Sequence, residues 1–235
     1  MRIQLSIIIP CYNEKNTVET IIDHINNNTK YTNEIIAIDD FSNDGTYEIL
    51  QRLLKENKIK ELIRNEKNFG KGYSIRKGIE KSTGEIIIFQ DADLEYDPKD
   101  YPRLIDPIEN NSADVVFGSR FIGSDIKRVL FFWHSVANYY LTLLSNMFSN
   151  LNLTDMENCY KAFKSEILKK KIILKENRFG IEPEIVAKVS KIQNVRICEV
   201  GVKYFGRTYA EGKKITWKDA FSALRCIIYY NLFKK

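Results

Sequence analysis

The chain has 235 residues, 44% of them apolar, enough to bury one sizeable core. Its net charge of +5 is modest and its basic blocks, such as Lys169–Lys171 and Lys213–Lys214, are short, so no nucleic-acid partner is expected, while an anionic lipid or a pyrophosphate remains open. The four cysteines, Cys11, Cys159, Cys198 and Cys226, form no C-x-x-C pair, which argues against a zinc site or disulfide framework and for a reducing compartment.

Ser6–Ile9 is a short apolar run ended by Pro10 and reads as a buried strand. The apolar stretch Leu5–Pro10 is too short for a signal peptide, and Glu14 follows at once. Residues 18–28 show helical spacing, with Thr17 as N-cap. Glu34–Ile38 is the next strand, a helix follows over 46–56, and Glu61–Ile63 is a weaker strand before a helix over 73–81. Glu85–Phe89 and Asp114–Phe117 are two more strands. Continuous apolar strands separated by amphipathic helices predict a mainly parallel α/β sheet covered on both faces. No internal repeat or low-complexity linker divides the chain, so residues 1–235 read as a single domain.

Ligands of such sheets bind outside the carboxyl ends of the strands. Three polar clusters stand there: Tyr12-Asn13-Glu14, Asp39-Asp40 and Asp91-Ala92-Asp93. In extended chain, residues two apart point to one side, so Asp91 and Asp93 converge. Two carboxylates at a partly desolvated rim call for a cation, and Mg²⁺ or Mn²⁺ suits, with phosphate oxygens and water filling the other positions. A solvated acidic turn is the alternative, since Glu95 and Asp97 continue the negative charge. In Asp39–Thr46, Asp44 caps the following helix, while Asp39 or Asp40 is placed to accept hydrogen bonds from a base edge or ribose. Asn68-Phe69-Gly70-Lys71-Gly72 sets a lysine between two glycines at a helix start, where phosphate is attracted.

Ser6–Glu14, Ile38–Thr46, Asn68–Gly72 and Gln90–Leu94 occur in the order seen in family 2 glycosyltransferases, which the chain resembles over nearly its whole length. Gly118-Ser119-Arg120 and Arg207–Lys214 are similar to the branch of dolichyl- and polyprenyl-phosphate sugar synthases. The resemblance implies a GT-A, Rossmann-like fold and inverting transfer of a hexose from a nucleotide diphosphate sugar, GDP-mannose or UDP-glucose, to a polyprenyl or dolichyl phosphate. A hydroxyl acceptor on a glycan, diacylglycerol or protein is the alternative. By position, Pro10, Tyr12, Glu14, Asp39, Asp40, Lys71, Ala92 and Lys213 would contact the donor. Asp91 and Asp93 would hold the metal, and Arg120 and Arg207 would face phosphates. Residues 1–120 would form the donor half and 121–235 the acceptor and membrane-facing half.

Thr154–Phe163 sits where the family has an aspartate, a glycine and a basic residue near the acceptor. Asp155 and Lys161 match, and Cys159 replaces the glycine. A lipid phosphate is already anionic near neutral pH, so its transfer needs no strong base. A hydroxyl acceptor would need one, with Asp155 the first candidate. Glu182 and Glu184, near a helix start, read as dipole-favoured capping residues. A nucleotidyltransferase would carry a glycine-rich loop after its first strand, and Pro10–Glu14 has no glycine.

Val129–Thr154 contains no Asp, Glu, Lys or Arg, yet Ser135, Asn138, Thr142, Ser145 and Ser149 make one polar stripe along it. That pattern favours burial or an interfacial position over a span. Trp217–Lys235 repeats the theme: Trp217, Phe221, Leu224 and Ile228 form an apolar face, with Lys218, Arg225, Lys234 and Lys235 around it. The expectation is a peripheral enzyme on the cytoplasmic membrane face, with room for a separate membrane-spanning partner.

Overall fold

The computed structural model describes residues 4–123, 128–129, 131–208, 211–212, 214 and 217–233, with no side-chain description for 217 and 218. Seven strands form one sheet in the order β3-β2-β1-β4-β6-β5-β7. They are β1 (Gln4–Cys11), β2 (Thr32–Asp39), β3 (Glu61–Arg64), β4 (Ile86–Phe89), β5 (Val115–Ser119), β6 (Lys161–Lys164) and β7 (Ile197–Gly201). Around them lie α1 (Val18–Asn28), α2 (Thr46–Lys55), α3 (Lys71–Lys81), α4 (Tyr101–Glu109), α5 (Phe132–Ser149), α6 (Ile181–Val189) and α7 (Trp217–Ile228).

The four strands expected from apolar runs, β1, β2, β4 and β5, form the buried centre of the sheet, and Ile7, Ile8, Ile36, Ile87, Ile88 and Val116 are nearly or fully inaccessible. β6 runs antiparallel between β4 and β5, while every other pairing is parallel. Chain order reverses between β1 and β4: β2 and β3 lie to one side of β1, and the remaining strands lie beyond β4. A crevice therefore opens at the carboxyl ends of those two strands, where Pro10–Glu14 and Gln90–Asp93 leave the sheet. Gln90, fully buried, fixes this exit by accepting hydrogen bonds from Tyr101 Oη at 3.0 Å and Tyr160 Oη at 2.6 Å.

Local details refine the sequence reading. The third helix starts at Lys71, two residues earlier than its apolar spacing indicates, because Gly70, with φ +105°, turns the chain directly into it. Thr17 does not cap α1 through its side chain; its hydroxyl donates to the Glu14 carboxylate at 2.8 Å. Asp44 is not the N-cap of α2, since Gly45, at φ +102°, takes that place; Asp44 instead accepts from the Thr46 amide at 3.0 Å just before the helix.

α5 is amphipathic with its faces reversed. Asn138, Thr142 and Ser145 are buried against the domain, where the helix packs on α6 and α7. Phe132, Tyr139 and Met147 point outward and are 69%, 63% and 73% exposed. The Asn138 amide nitrogen and the Ser145 hydroxyl are buried without a hydrogen-bond partner among the described residues. An ordinary surface helix buries its apolar side. Phe221, Leu224 and Ile228 of α7 and Leu232 and Phe233 beyond it are likewise exposed. Among the described residues no helix is long and apolar enough to cross a membrane.

Candidate active site

A cleft of about 1170 Å³ occupies the crevice. Pro10, Tyr12, Glu14, Asp40 and Lys71 line it. Asp91, Ala92 and Asp93 line it too, as do Arg120 and Arg207. Most residues singled out in the sequence thus converge on one cavity. Lys213 lies outside the described residues, as do Lys234 and Lys235.

The acidic corner is built by ion pairs over long sequence separations. Lys71 Nζ lies 2.9 Å from Asp91 and 3.3 Å from Glu182. The Arg207 guanidinium serves three carboxylates: Glu14 and Asp93 at 3.1 Å each, and Glu95 at 3.6 Å. Lys214 adds a 2.6 Å contact to Glu14. Burial raises the Asp91 carboxyl most strongly, but the Lys71 ammonium, the Cys159 hydrogen bond and the Lys161 charge together outweigh it and hold that group below its usual range. Burial and then the charge of Asp91 push Asp93 well above its usual range, because its share of one guanidinium does not compensate for them. A corner with more negative charge than its cations neutralise fits a divalent ion. Among the described residues no group of three or more His, Cys, Asp or Glu is arranged to hold a metal.

Asp40 is committed elsewhere. Its oxygens accept from the Asn65 amide at 2.8 Å and from the Phe69 and Gly70 backbone N–H groups at 2.9 and 2.7 Å. It shapes the loop that aims Lys71 at Asp91. Asp39 is fully buried outside the cleft lining, 3.4 Å from Arg64 Nε and 3.3 Å from the Ser42 amide. Burial raises its pKa.

Asp155 departs from the expectation of a base. It is 1% exposed, does not line the cleft, and is gripped by Arg120 through two parallel 2.7 Å hydrogen bonds, with a third at 2.9 Å from the Arg120 backbone. Burial alone would raise its pKa; the adjacent guanidinium overrides this and lowers it. A carboxylate held in that state is a poor proton acceptor, and its evident role is to aim Arg120. Arg120 also packs its guanidinium 5.1 Å from the Tyr204 ring centroid.

Glu182 is not a plain cap either. It pairs with fully buried Lys161 and with Lys71, so it stands behind the lysine that contacts Asp91. Glu184 accepts from the Lys175 and Glu176 amides at 2.8 and 2.7 Å and pairs with Lys188. Glu157, Tyr204, Lys214 and His134 also line the cleft. Lys214 and Glu157 lie in the Arg207–Lys214 and Thr154–Phe163 segments, but nothing local marks those two side chains, or Tyr204 and His134, as cleft residues.

The start of α3 closes against the turn before α6. A Cβ on Gly70 would lie 2.6 Å from the Asn177 carbonyl oxygen, and one on Gly72 would strike that of Glu176. Tyr73 N–H donates to Asn177 O at 3.0 Å. Glu176 in turn accepts from Arg225 of α7 at 2.8 Å and from Tyr230 Oη at 3.0 Å.

Comparison with known proteins agrees with this architecture. The chain is 36% identical over 120 residues to the dolichol-phosphate mannosyltransferase of Pyrococcus furiosus, covering 51% of this chain and 34% of that protein. It is 28% identical over 237 residues to the dolichyl-phosphate beta-glucosyltransferase of Dictyostelium discoideum, covering 94% of this chain and 70% of that one. The chain therefore spans about a third of the first relative's length. Among solved structures, glucosyl-3-phosphoglycerate synthase of Mycobacterium tuberculosis, in complex with Mn²⁺, uridine diphosphate and glucosyl-3-phosphoglycerate, superposes with a TM-score of 0.73 at 19% identity, covering 97% of this chain and 80% of that one. That similarity shows the expected GT-A fold. The model of "Glycosyl transferase family 2" matches residues 6–171. With that match over most of its length, and with an acidic pair at the reversal point of a mainly parallel sheet, this chain belongs to the family 2 glycosyltransferases.

Proposed function

We propose that the chain transfers a hexose, with inversion, from a nucleotide diphosphate sugar to a polyprenyl or dolichyl phosphate at a membrane surface. The observation that carries this reading is the position of α5. Trp133, Ala137, Asn138 and Leu141 of this helix line the cleft, while its aromatic face turns away from the domain. An acceptor with a phosphate head and a long apolar tail fits a site whose wall is also its apolar outer surface. The two curated relatives bear names of dolichol- or dolichyl-phosphate glycosyltransferases, which supports the same acceptor class.

Asp91 and Asp93 would hold Mg²⁺ or Mn²⁺, which supplies positive charge for the diphosphate leaving group. Lys71 fixes the position of Asp91, and Arg207 that of Asp93 and Glu14. Arg120, pre-aimed by Asp155, presents a guanidinium suited to a phosphate oxygen. Because the acceptor oxygen is already anionic, the residues need mainly to bring two negatively charged partners together and offset their repulsion. Tyr12, 37% exposed, and Pro10 offer flat apolar surface to a base or ribose.

The test incubates the protein with GDP-mannose or UDP-glucose, Mn²⁺, and polyprenyl phosphate or the matching polyprenol. Transfer to the phosphate alone is expected. Transfer to the alcohol, or to diacylglycerol, with the phosphate ignored, would overturn the acceptor assignment.

A further inference from the structure

Most cleft carboxylates have a partner: Asp91 has Lys71, Asp93, Glu14 and Glu95 share Arg207, and Asp40 accepts hydrogen bonds from Asn65, Phe69 and Gly70. Glu157 differs. It stands in the loop between α5 and β6 and lines the cleft, and no ion pair or hydrogen bond reaches its carboxylate among the described residues. Its Oε1 is shut off from solvent without a partner. An unpartnered buried oxygen forfeits its hydration without compensation, so it calls for an explanation.

The charged groups facing it come from four places: Glu182 on α6, Lys161 on β6, Arg120 just after β5, and Asp155 in the same loop. The two cations are already committed, Lys161 to Glu182 and Arg120 to Asp155. Burial first, then the charge of Glu182, push the Glu157 carboxyl up to about 7. Near neutral pH this group is therefore available as a neutral acid, whose O–H is a hydrogen-bond donor.

Building on the lipid-phosphate reading above, we infer that Glu157 holds the acceptor in its protonated form, donating one hydrogen bond to a phosphate oxygen on the Arg120 side of the cleft. The guanidinium and the carboxylic acid then grip one phosphate together. Ionised, the same side chain repels the acceptor's dianion. Glu157 thus selects the acceptor and sets the alkaline limit of its binding, while the proton stays on the glutamate throughout transfer.

Steady-state kinetics on the full chain with polyprenyl phosphate, Mn²⁺ and whichever of GDP-mannose and UDP-glucose is used, from pH 5.5 to 8.5, test this. In the wild type, KM for polyprenyl phosphate should rise about tenfold per pH unit above 7, with KM for the nucleotide sugar unchanged. Glu157→Gln, an isosteric change whose amide still donates, should flatten that rise and keep kcat within about threefold. Glu157→Ala should raise the acceptor KM at pH 6. The same alkaline rise in Glu157→Gln overturns the inference. Loss of kcat by 100-fold or more at every pH in Glu157→Gln also overturns it, since that marks a proton-accepting base for a hydroxyl acceptor. A wild-type chain that ignores polyprenyl phosphate overturns the acceptor reading and this inference together; the variants separate the two whenever the wild type is active.

Discussion

Arg207 and Asp93, 114 positions apart in the chain, meet at 3.1 Å across the acidic corner. The same guanidinium holds Glu14 through two 3.1 Å hydrogen bonds, so one side chain ties the ends of β1 and β4 to the segment after β7. A lysine cannot reproduce that planar fork. Arg207→Lys is expected to lower kcat/KM by 10- to 100-fold, about 1.4–2.7 kcal/mol of transition-state stabilisation, in steady-state kinetics. Thermal unfolding should show the protein still folded.

Asp93→Ala should abolish metal-dependent transfer while the protein still folds. It should also remove the rise in melting temperature that Mn²⁺ with UDP or GDP gives the wild type, since a ligand that binds the native state stabilises it by mass action. Full activity in this variant would show that the carboxylate pair holds no metal.

The Arg120–Asp155 pair is structural as well as functional. Asp155→Asn leaves a guanidinium that is 13% exposed without its countercharge, and should destabilise the protein by about 3–5 kcal/mol in urea unfolding. The folded pKa of Asp155 is lowered, so its contribution is present above the unfolded carboxylate value and lost as pH falls through the lowered folded value. The stability gap between wild type and variant should therefore narrow only in acid, below about pH 4.

The sequence shows the central strands of this fold better than the elements around them, for physical reasons. β1, β2, β4 and β5 are apolar runs buried on both faces, and such runs declare themselves. β6 reads Lys161-Ala162-Phe163-Lys164, and nothing local shows that Lys161 is fully buried because Glu182 awaits it. α4 carries Pro102 and Pro107, which break the helical signal. β7 has no fully buried residue and none of the force of a central strand. At the site, Asp91 and Asp93 are legible because two carboxylates closely follow an apolar strand, although they leave it in a turn rather than in extended chain. The partners of Asp155, Glu157 and Glu182 are set by tertiary packing alone. The polar stripe of α5 was legible too, but periodicity gives a stripe without saying which way it faces.

That orientation has a direct test. Phe132→Glu places a charge on the outer face of α5 at a side chain 69% exposed and outside the cleft lining. Binding to vesicles containing anionic lipid should weaken tenfold or more, in line with about 1.5–3 kcal/mol for one large apolar side chain. The melting temperature in the absence of lipid should be unchanged. Equal vesicle binding by both proteins would show that this face does not meet the membrane.

Gly70 and Gly72 leave no room for even a methyl group between the start of α3 and the backbone of residues 176–178. Such a seam has no play in it. Glu176, at one edge of that seam, is held by Arg225 of α7, and the Gly70 turn leads straight into Lys71 at Asp91. Any side chain larger than hydrogen at either glycine would therefore shift the lysine away from its carboxylate.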